Sequence, residues 1–410
     1  MRLTSIDINN KEFKRSMRGY NLDEVDEFLE KVKSYSFLQT SKMNEVLISN
    51  NRETKLLGLV DEGEVLAVGL AFLRKIYGGK RIDFMVGASA IDEKYEFVFY
   101  DKLKDYVKEI GCLKLVIKLD KDYIIYDQEG NPIEKKDTYY LEEMKKAGYN
   151  INDKSIPVND GSADYQFVKD LSEFLPDKEK VLLKSFNSNA RRKIKKAKDL
   201  DIKVRPIKRD EIEEFKVLTL ETSKRQGFGD KSLAYYQTFY DEFKDDAEFL
   251  VSEINLKESI EKLEKLIAGM DPNGKNNKQR IKSLQKEVDM LKEFRAESDK
   301  DVIPLANMIL IYLKDQAIYF LGGSLTKYQK LPGAFKLQYE AMKRICQRNI
   351  PIYNFYGIDG VFDGSDGVLR FKQNFNGYII RKAGGFSYYP NPSKYKFIQF
   401  VKKIKRKFNK

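Results

Sequence analysis

The feature that most constrains the fold is an order of elements that occurs twice. Leu56–Val60, the turn Asp61-Glu62-Gly63-Glu64 and Val65–Phe72 predict a β-hairpin, because short apolar runs joined by a polar, Gly-containing turn pair antiparallel. Arg81–Val86 predicts a further strand. Phe99, Leu103, Val107 and Ile110 then recur at helical spacing, and Gly111 ends that helix before a buried strand at Leu113–Leu119. Far along the chain the order returns. Met308–Leu313 and Ile318–Leu321 flank Lys314-Asp315-Gln316 as a second hairpin, Phe335, Tyr339, Met342 and Ile345 mark a second helix, and Ile350–Tyr356 a second strand. Repetition of hairpin, helix and strand predicts an α/β (α+β) protein built of two similar halves. With 410 residues, 42% of them hydrophobic, the chain has apolar material for two or three packed domains.

A different texture interrupts the second half. Ile260, Leu263, Ile267 and Met270 are spaced by three and four, Asp271-Pro272-Asn273-Gly274 breaks the helix, and Ile281, Leu284, Val288 and Leu291 resume it. This predicts an antiparallel coiled-coil arm over residues 256–297, inserted between the strand near Phe249–Ile254 and the one near Asn307. Its longer helix projects roughly 30 Å. A structural spur and a Lys-rich grip on nucleic acid, through Lys275, Lys278, Arg280 and Lys282, both fit the arm. At the other end of the chain, Asn21 with Glu24 predicts a capped helix start, and Val25, Phe28, Leu29 and Val32 form its apolar face.

Absences narrow the chemistry. The chain has no His, so Ser-His-Asp and Cys-His catalysis are excluded and the commonest metal ligand is missing; neither a metal nor a cofactor is expected. Its two cysteines, Cys112 and Cys346, lie in apolar segments and read as reduced core thiols of a cytoplasmic protein. The longest apolar run, about Ala306 to Leu313, is far shorter than the ~18 residues a spanning helix needs, so membrane contact is expected to be peripheral. Lys and Arg outnumber Asp and Glu by 75 to 63, a net charge of +12 that suits polyanionic partners and equally a soluble protein with Lys-rich faces.

Two segments carry candidate chemistry. Phe186-Asn187-Ser188-Asn189-Ala190 leads into Arg191-Arg192-Lys193-Ile194-Lys195-Lys196-Ala197-Lys198, with six cations in eight positions. Ile194 and Ala197 dock one edge of this helix, and Arg191, Arg192 and Lys195 fan outward, a geometry suited to phosphate or to a plain solvated face. The second segment is an aromatic strand, Tyr353-Asn354-Phe355-Tyr356-Gly357, running into a Gly/Asp loop and then Arg370-Phe371-Lys372-Gln373-Asn374-Phe375. A lysine between two phenylalanines either sits desolvated and aimed into a cleft or is one more surface lysine.

These segments and the inserted arm together resemble the Fem aminoacyltransferases of cell-wall bridge formation, the MurN-type members most of all, from Ser36-Phe37-Leu38-Gln39-Thr40 to the C-terminus. The resemblance implies two acetyltransferase-like (GNAT) domains, with aminoacyl-tRNA and a lipid-linked muropeptide precursor as substrates. It implies Lys372 as the cation facing the attacked carbonyl oxygen and Asp120, at the end of the Leu113–Leu119 strand, as the carboxylate near the acceptor amine. Arg225 matches the arginine that holds the precursor's phosphates, with Tyr235 and Tyr236 beside it. Where relatives carry a Trp and a basic residue after Leu38-Gln39-Thr40, this chain has Met43 and Leu47, which leaves Lys42 as the second phosphate contact. Alanine, then serine, is the expected amino acid, added to the stem lysine or to the first bridge residue.

A second resemblance covers the head. Asn10-Lys11-Glu12-Phe13-Lys14-Arg15-Ser16-Met17-Arg18-Gly19-Tyr20 and Asp23–Leu29 resemble the lipid-binding domain of DivIVA-type scaffold proteins, which implies that Met17 and Arg18 touch anionic membrane and that division-site proteins are partners. The alternative is an extended first helix of the enzyme. The expected domains are 1–35 (head), 36–155 (first half), 156–255 with 298–400 (second half), 256–297 (arm) and 401–410 (basic tail). Two other functions compete: a non-catalytic scaffold or immunity relative, and a coenzyme A acetyltransferase, which would need a pyrophosphate-binding Gly-rich helix start that the sequence does not offer.

Overall fold

The computed structural model describes residues 22–61, 64–152, 163–227, 229–274 and 277–408. The first half contributes β1 (Glu53–Asp61), β2 (Glu64–Ile76), β3 (Gly79–Phe84), the short β4 (Ser89–Ala90), β5 (Lys114–Tyr126) and β6 (Asn150–Asn152). The second contributes β7 (Tyr165–Asp170), β8 (Lys203–Pro206), β9 (Ala247–Asn255), β10 (Val302–Tyr312), β11 (Gln316–Ser324), β12 (Ile352–Ile358) and β13 (Tyr378–Tyr388). They form one sheet in the order β1-β2-β3-β5-β13-β7-β12-β11-β10-β9-β8, with β4 on β2 and β6 on β13.

The repeat read from the sequence is present as two mixed α/β units. β2 and β3 pair antiparallel, the Glu93–Glu109 helix crosses over, and β5 pairs parallel to β3. In the second half β10 and β11 pair antiparallel, the Gly333–Gln347 helix crosses over, and β12 pairs parallel to β11. The predicted β1–β2 hairpin forms as well, but it is the β2–β3 hairpin that corresponds to β10–β11. Phe99, Leu103 and Val107 bury the first crossover helix on its sheet, and Leu337, Met342 and Ile345 the second.

What periodicity did not announce is a strand that crosses between the halves. β7, the first strand of the second half, pairs antiparallel with β12 of the same half. β13, near the end of the chain, returns to pair with β5 of the first half and also with β7. The β13–β7 ladder, Tyr378↔Val168 to Arg381↔Tyr165, therefore welds the half-sheets together. A shared apolar layer reinforces the weld: Leu70, Phe72, Met85 and Val86 of the first half cluster with Phe215, Phe239, Phe249 and Phe320 of the second.

The arm consists of helices Leu256–Ala268 and Asn277–Ala296. Leu256, Ile260 and Leu263 face Leu284, Val288, Leu291 and Phe294, and the same cluster runs on into Ile202, Leu305 and Tyr328, so the arm's base is part of the second half's core. The Leu22–Lys31 helix is not a free head. Its Val25, Phe28 and Leu29, with Val32 just beyond it, are buried against Val68 of β2, and Asp26 accepts hydrogen bonds from Ser41. Met17 and Arg18 lie outside the described residues. At the C-terminus a helix over Pro392–Phe408 crosses the boundary expected at 400/401.

Gly377 immediately precedes the welding strand, and a Cβ built there would fall on the Val168 carbonyl oxygen of β7. Gly377→Ala is predicted to lower unfolding free energy by about 1–3 kcal/mol in denaturant melts, the usual cost of overpacking. Gly229→Ala, where no atom lies within 4 Å of the added Cβ, should leave the melt unchanged.

Candidate active site at the junction of the halves

β11 and β12 pair only from Gln316↔Ile352 to Ile318↔Asn354, although both strands run on. Parallel strands that part in this way open a crevice beyond their paired ends, the usual place for a ligand in an α/β sheet. A bulge sits there: the register on β7 shifts between Asn354 and Tyr356, and Tyr356 adopts φ +64°. Asn354 makes the bulge possible. Its Oδ1 accepts the Tyr356 N–H at 2.8 Å, and its amide donates to Gln166 Oε1 of β7 (2.7 Å) and Gln316 Oε1 of β11 (3.1 Å). A left-handed tyrosine costs energy that a sheet does not normally spend, and such strain collects at functional positions.

The bulge cradles Lys372. The Gly/Asp loop ends at Asp366, whose Oδ1 accepts the N–H groups of Val368 (2.7 Å) and Leu369 (3.0 Å), capping a short helix, Gly367–Lys372. That helix turns Lys372 inward, and the ammonium donates to the carbonyl oxygens of Tyr356 (3.1 Å) and Gly357 (2.5 Å). Phe371 meets Phe335 and Phe375 edge to face, and Phe335 lies tilted against Phe375. At 4% exposure Lys372 is desolvated, and burial brings its pKa down to about 7, only partly opposed by the carboxylates of Asp366 and Asp359.

Asp120 lies where β5 runs past its pairing with β3 and where the β13 register is irregular. Its Oδ1 is 2.9 Å from Lys382 Nζ of β13, which also holds Asp122 at 2.8 Å. Burial works against the Lys382 ammonium, but the two carboxylates more than offset it and raise its pKa. The Asp120 side chain remains 29% exposed against 11% for Lys382, so the carboxylate is held from behind and open in front. The halves meet at the Tyr356 phenol: burial first, then the charge of Asp120 and the phenol of Tyr235, pushes it well above its ordinary value. Lys372, through the Tyr356 carbonyl, and Asp120 and Tyr235, through its phenol, thus surround one residue.

The remaining residues divide. Arg225, in the last turn of the Ile212–Gln226 helix, donates to Ser324 O (3.2 Å) and Thr326 Oγ1 (2.8 Å) at the far end of β11, on the side where the strands open. Its hydrogen-bond partners there are neutral, and the nearby Glu221 carboxylate, which accepts the Thr326 N–H at 2.6 Å, feels its charge. Tyr236 is buried in the core with its hydroxyl on Asp230 at 2.7 Å, turned to a carboxylate rather than to a phosphate site. Lys42 is not brought to this place. It pairs with Asp246 in a cavity of about 510 Å³ lined also by Tyr312, Lys314 and Ile350, beside the beginning of β11 and β12. The helix Ser41–Ser49 buries Met43 and Leu47, and that leaves Lys42 facing Asp246.

The basic helix, Ser188–Asp199, buries Ala190, Ile194 and Ala197. Its start is tied to the lysine segment, since Asn189 Nδ2 donates to Asn374 Oδ1 at 2.8 Å and Asn187 N–H to Asn374 O at 3.1 Å. Its far side is tied to the arm through Lys196 and Glu287, 2.8 Å apart. Arg191 donates to Lys184 O and Arg192 to Asn189 Oδ1, and Lys195 is exposed. Lys278, Arg280 and Lys282 are exposed on the first turns of the second arm helix, and Lys275 lies outside the described residues. The basic helix is thus tied at its start to the lysine segment and on its far side to the arm. Sequence reasoning missed Lys382 and Asn354, because neither their strand pairing nor the bulge has a local signature.

Comparison with known proteins follows the same outline. The profile of the FemAB family matches residues 20–403. Aminoacyltransferase FemB of Staphylococcus epidermidis is 29% identical over 341 residues, 76% of this chain and 79% of the relative. Aminoacyltransferase FemA of Staphylococcus aureus is 26% identical over 406 residues, 90% and 94% of the respective chains. The crystal structure of FemX superposes with a TM-score of 0.70 at 20% identity, covering 93% of this chain and 98% of that one, a likeness of fold.

Lys372 titrates near 7 when folded against an ordinary 10.5. Between those values the unfolded chain takes up the proton first, so lowering the pH erodes native stability, and below about 7 the full burial cost is present. The unfolding free energy of wild type relative to Lys372→Met is predicted to fall from pH ~10 to ~7 and then level off, measured by denaturant titration. A flat difference across that window would contradict the desolvated lysine.

Proposed function

The chain belongs to the FemAB family and is an aminoacyltransferase that adds an amino acid to a peptidoglycan precursor, and on that premise we propose that Lys372 stabilises the oxyanion of the transfer. The donor is aminoacyl-tRNA and the acceptor an amine on a lipid-linked precursor. The amine attacks the ester carbonyl, a C–N bond forms, negative charge gathers on the carbonyl oxygen, and the C–O bond to the ribose breaks as the proton lost by the attacking nitrogen is taken up by the leaving ribose oxygen. A donor already fixed where that charge appears is typically worth about 10²–10³ in rate. Lys372 has this character because its partners are neutral carbonyls in a dry setting, and a neighbouring anion restores the proton that burial loosens.

The acceptor amine needs the opposite partner. Freeing the stem lysine's amine at pH 7 costs roughly 4–5 kcal/mol, and freeing the α-amine of a first bridge residue only about 1 kcal/mol. Asp120, held by Lys382 and open in front, receives the ammonium form and orients it as it gives up its proton. Arg225 takes the precursor's phosphates. The basic helix and the arm carry the tRNA. Alanine is the transferred residue, serine the next choice, and the first bridge residue, as in the MurN type, the narrower choice of acceptor. The protein works at the cytoplasmic face of the membrane as a peripheral protein, with Met17 and Arg18 as one contact. Among the described residues no helix is long and apolar enough to cross a bilayer. The observation that carries the reading is the buried ammonium of Lys372 held by the carbonyl oxygens of Tyr356 and Gly357.

Lys372→Ala is predicted to lower kcat about 10²–10³-fold with the fold retained, measured as transfer of labelled alanine or serine from charged tRNA to precursor. Undiminished transfer would remove Lys372 from the chemistry of the step. Because the arm's base is core, its tip is the place to test it: Lys278→Glu, Arg280→Glu and Lys282→Glu together should raise KM for charged tRNA and leave kcat, with a shallower salt dependence of tRNA binding.

A further inference from the structure

The C-terminal helix, Pro392–Phe408, has no part in the site described, yet its surface is unlike any ordinary solvated face. Its inner side packs on the first half. Ile398 lies against Gly78 in the β2–β3 turn, Tyr395 stacks on Tyr389 with ring centroids 4.5 Å apart, and Lys405 stands over the Tyr77 ring. Its outer side leaves Phe397 67%, Phe400 60% and Ile404 37% exposed. Positions 397, 400 and 404 are spaced by three and four, so the three side chains form one ridge along the helix. Advancing 100° per residue, Lys396, Lys403 and Lys407 flank the ridge on one side and Lys394 and Lys405 on the other. No Asp or Glu occurs between residues 392 and 408.

An apolar ridge between two rows of lysines matches a surface that is hydrocarbon at depth and anionic above it. A protein partner of that shape would need carboxylates on both sides of an apolar groove, and a nucleic acid would leave two phenylalanines and an isoleucine in water. We propose that this helix lies in the interface of a bilayer containing anionic lipid, with Phe397, Phe400 and Ile404 among the acyl chains and the flanking lysines at the headgroups. This rests on the reading that the protein works at a membrane surface and names the face that does so. It requires nothing of the transfer chemistry, and it does not depend on Met17 and Arg18.

The test is flotation of the full chain with vesicles of phosphatidylcholine alone or with phosphatidylglycerol added. Wild type is expected to float with the anionic vesicles, less so as salt rises, because each lysine near such a surface is worth roughly five-fold in affinity. Phe397→Ser, Phe400→Ser and Ile404→Ser together should lower the partition at least ten-fold, and Lys396→Glu with Lys403→Glu should do the same. All five side chains are outside the core, so melting curves should not move. Transfer to a water-soluble precursor lacking the lipid should be unchanged in both variants, which separates failure of this proposal from failure of the transferase reading. Equal flotation of wild type and the serine variant overturns the proposal. So does a serine variant that keeps its vesicle binding and loses affinity for tRNA, which would make the helix a nucleic-acid face.

Discussion

The pairing of β13 with both β5 and β7 is the contact on which the rest of the structure depends. Each half is a recognisable α/β unit, but neither contains a complete site: Asp120 is on β5 of the first, and Lys372, with its carbonyl cradle, belongs to the second. The strand that leaves the Lys372 segment is the strand that lies along β5 and delivers Lys382 to Asp120. One continuous run of chain therefore fixes the cation to the carboxylate, and the aromatic layer shared by the halves keeps them from hinging apart. Two large substrates that must meet at a single bond gain from such a junction, because positioning is paid before they arrive.

Two buried lysines of the same sheet region show how environment divides their roles. Lys372 is held by peptide carbonyls and is pushed down toward neutrality, whereas Lys382 is held by two carboxylates and is pushed up. The first can respond to charge that appears during reaction, and the second is a permanent brace. Asn354 is the less visible contributor. Its side chain bridges Gln166, Gln316 and the Tyr356 N–H and so holds the left-handed bulge from the side opposite Lys372's own hydrogen bonds to the Tyr356 and Gly357 carbonyls.

What could be read from the sequence was what is local. The hairpins, the crossover helices and the arm all follow from spacing within a few residues, whereas spacing left Lys372 either desolvated or on the surface, and only the fold buries it. The crossing of β13 to β5 is set by contacts between segments far apart in sequence, and no periodicity reports it. Lys42 illustrates the limit from the other side: its place after Leu38-Gln39-Thr40 suggested phosphate, but burial of Met43 and Leu47 leaves it facing Asp246. The apolar face of Val25, Phe28, Leu29 and Val32 was legible, whereas its partner, Val68 on a distant strand, was not, and that partner decides that the helix is part of the first half. The exposed ridge of the last helix escaped notice because an apolar residue on an amphipathic helix ordinarily reads as core.

The central claim is that the Lys372 ammonium meets the carbonyl under attack while Asp120 meets the acceptor amine. A crystal structure with a non-hydrolysable amide analogue of the aminoacylated tRNA end, together with the precursor's headgroup, tests it most directly. The account predicts the analogue's carbonyl oxygen within hydrogen-bonding distance, about 3 Å, of Lys372 Nζ and the acceptor amine beside the open oxygen of Asp120. An analogue seated elsewhere, with Lys372 still bonded only to Tyr356 and Gly357, would contradict it.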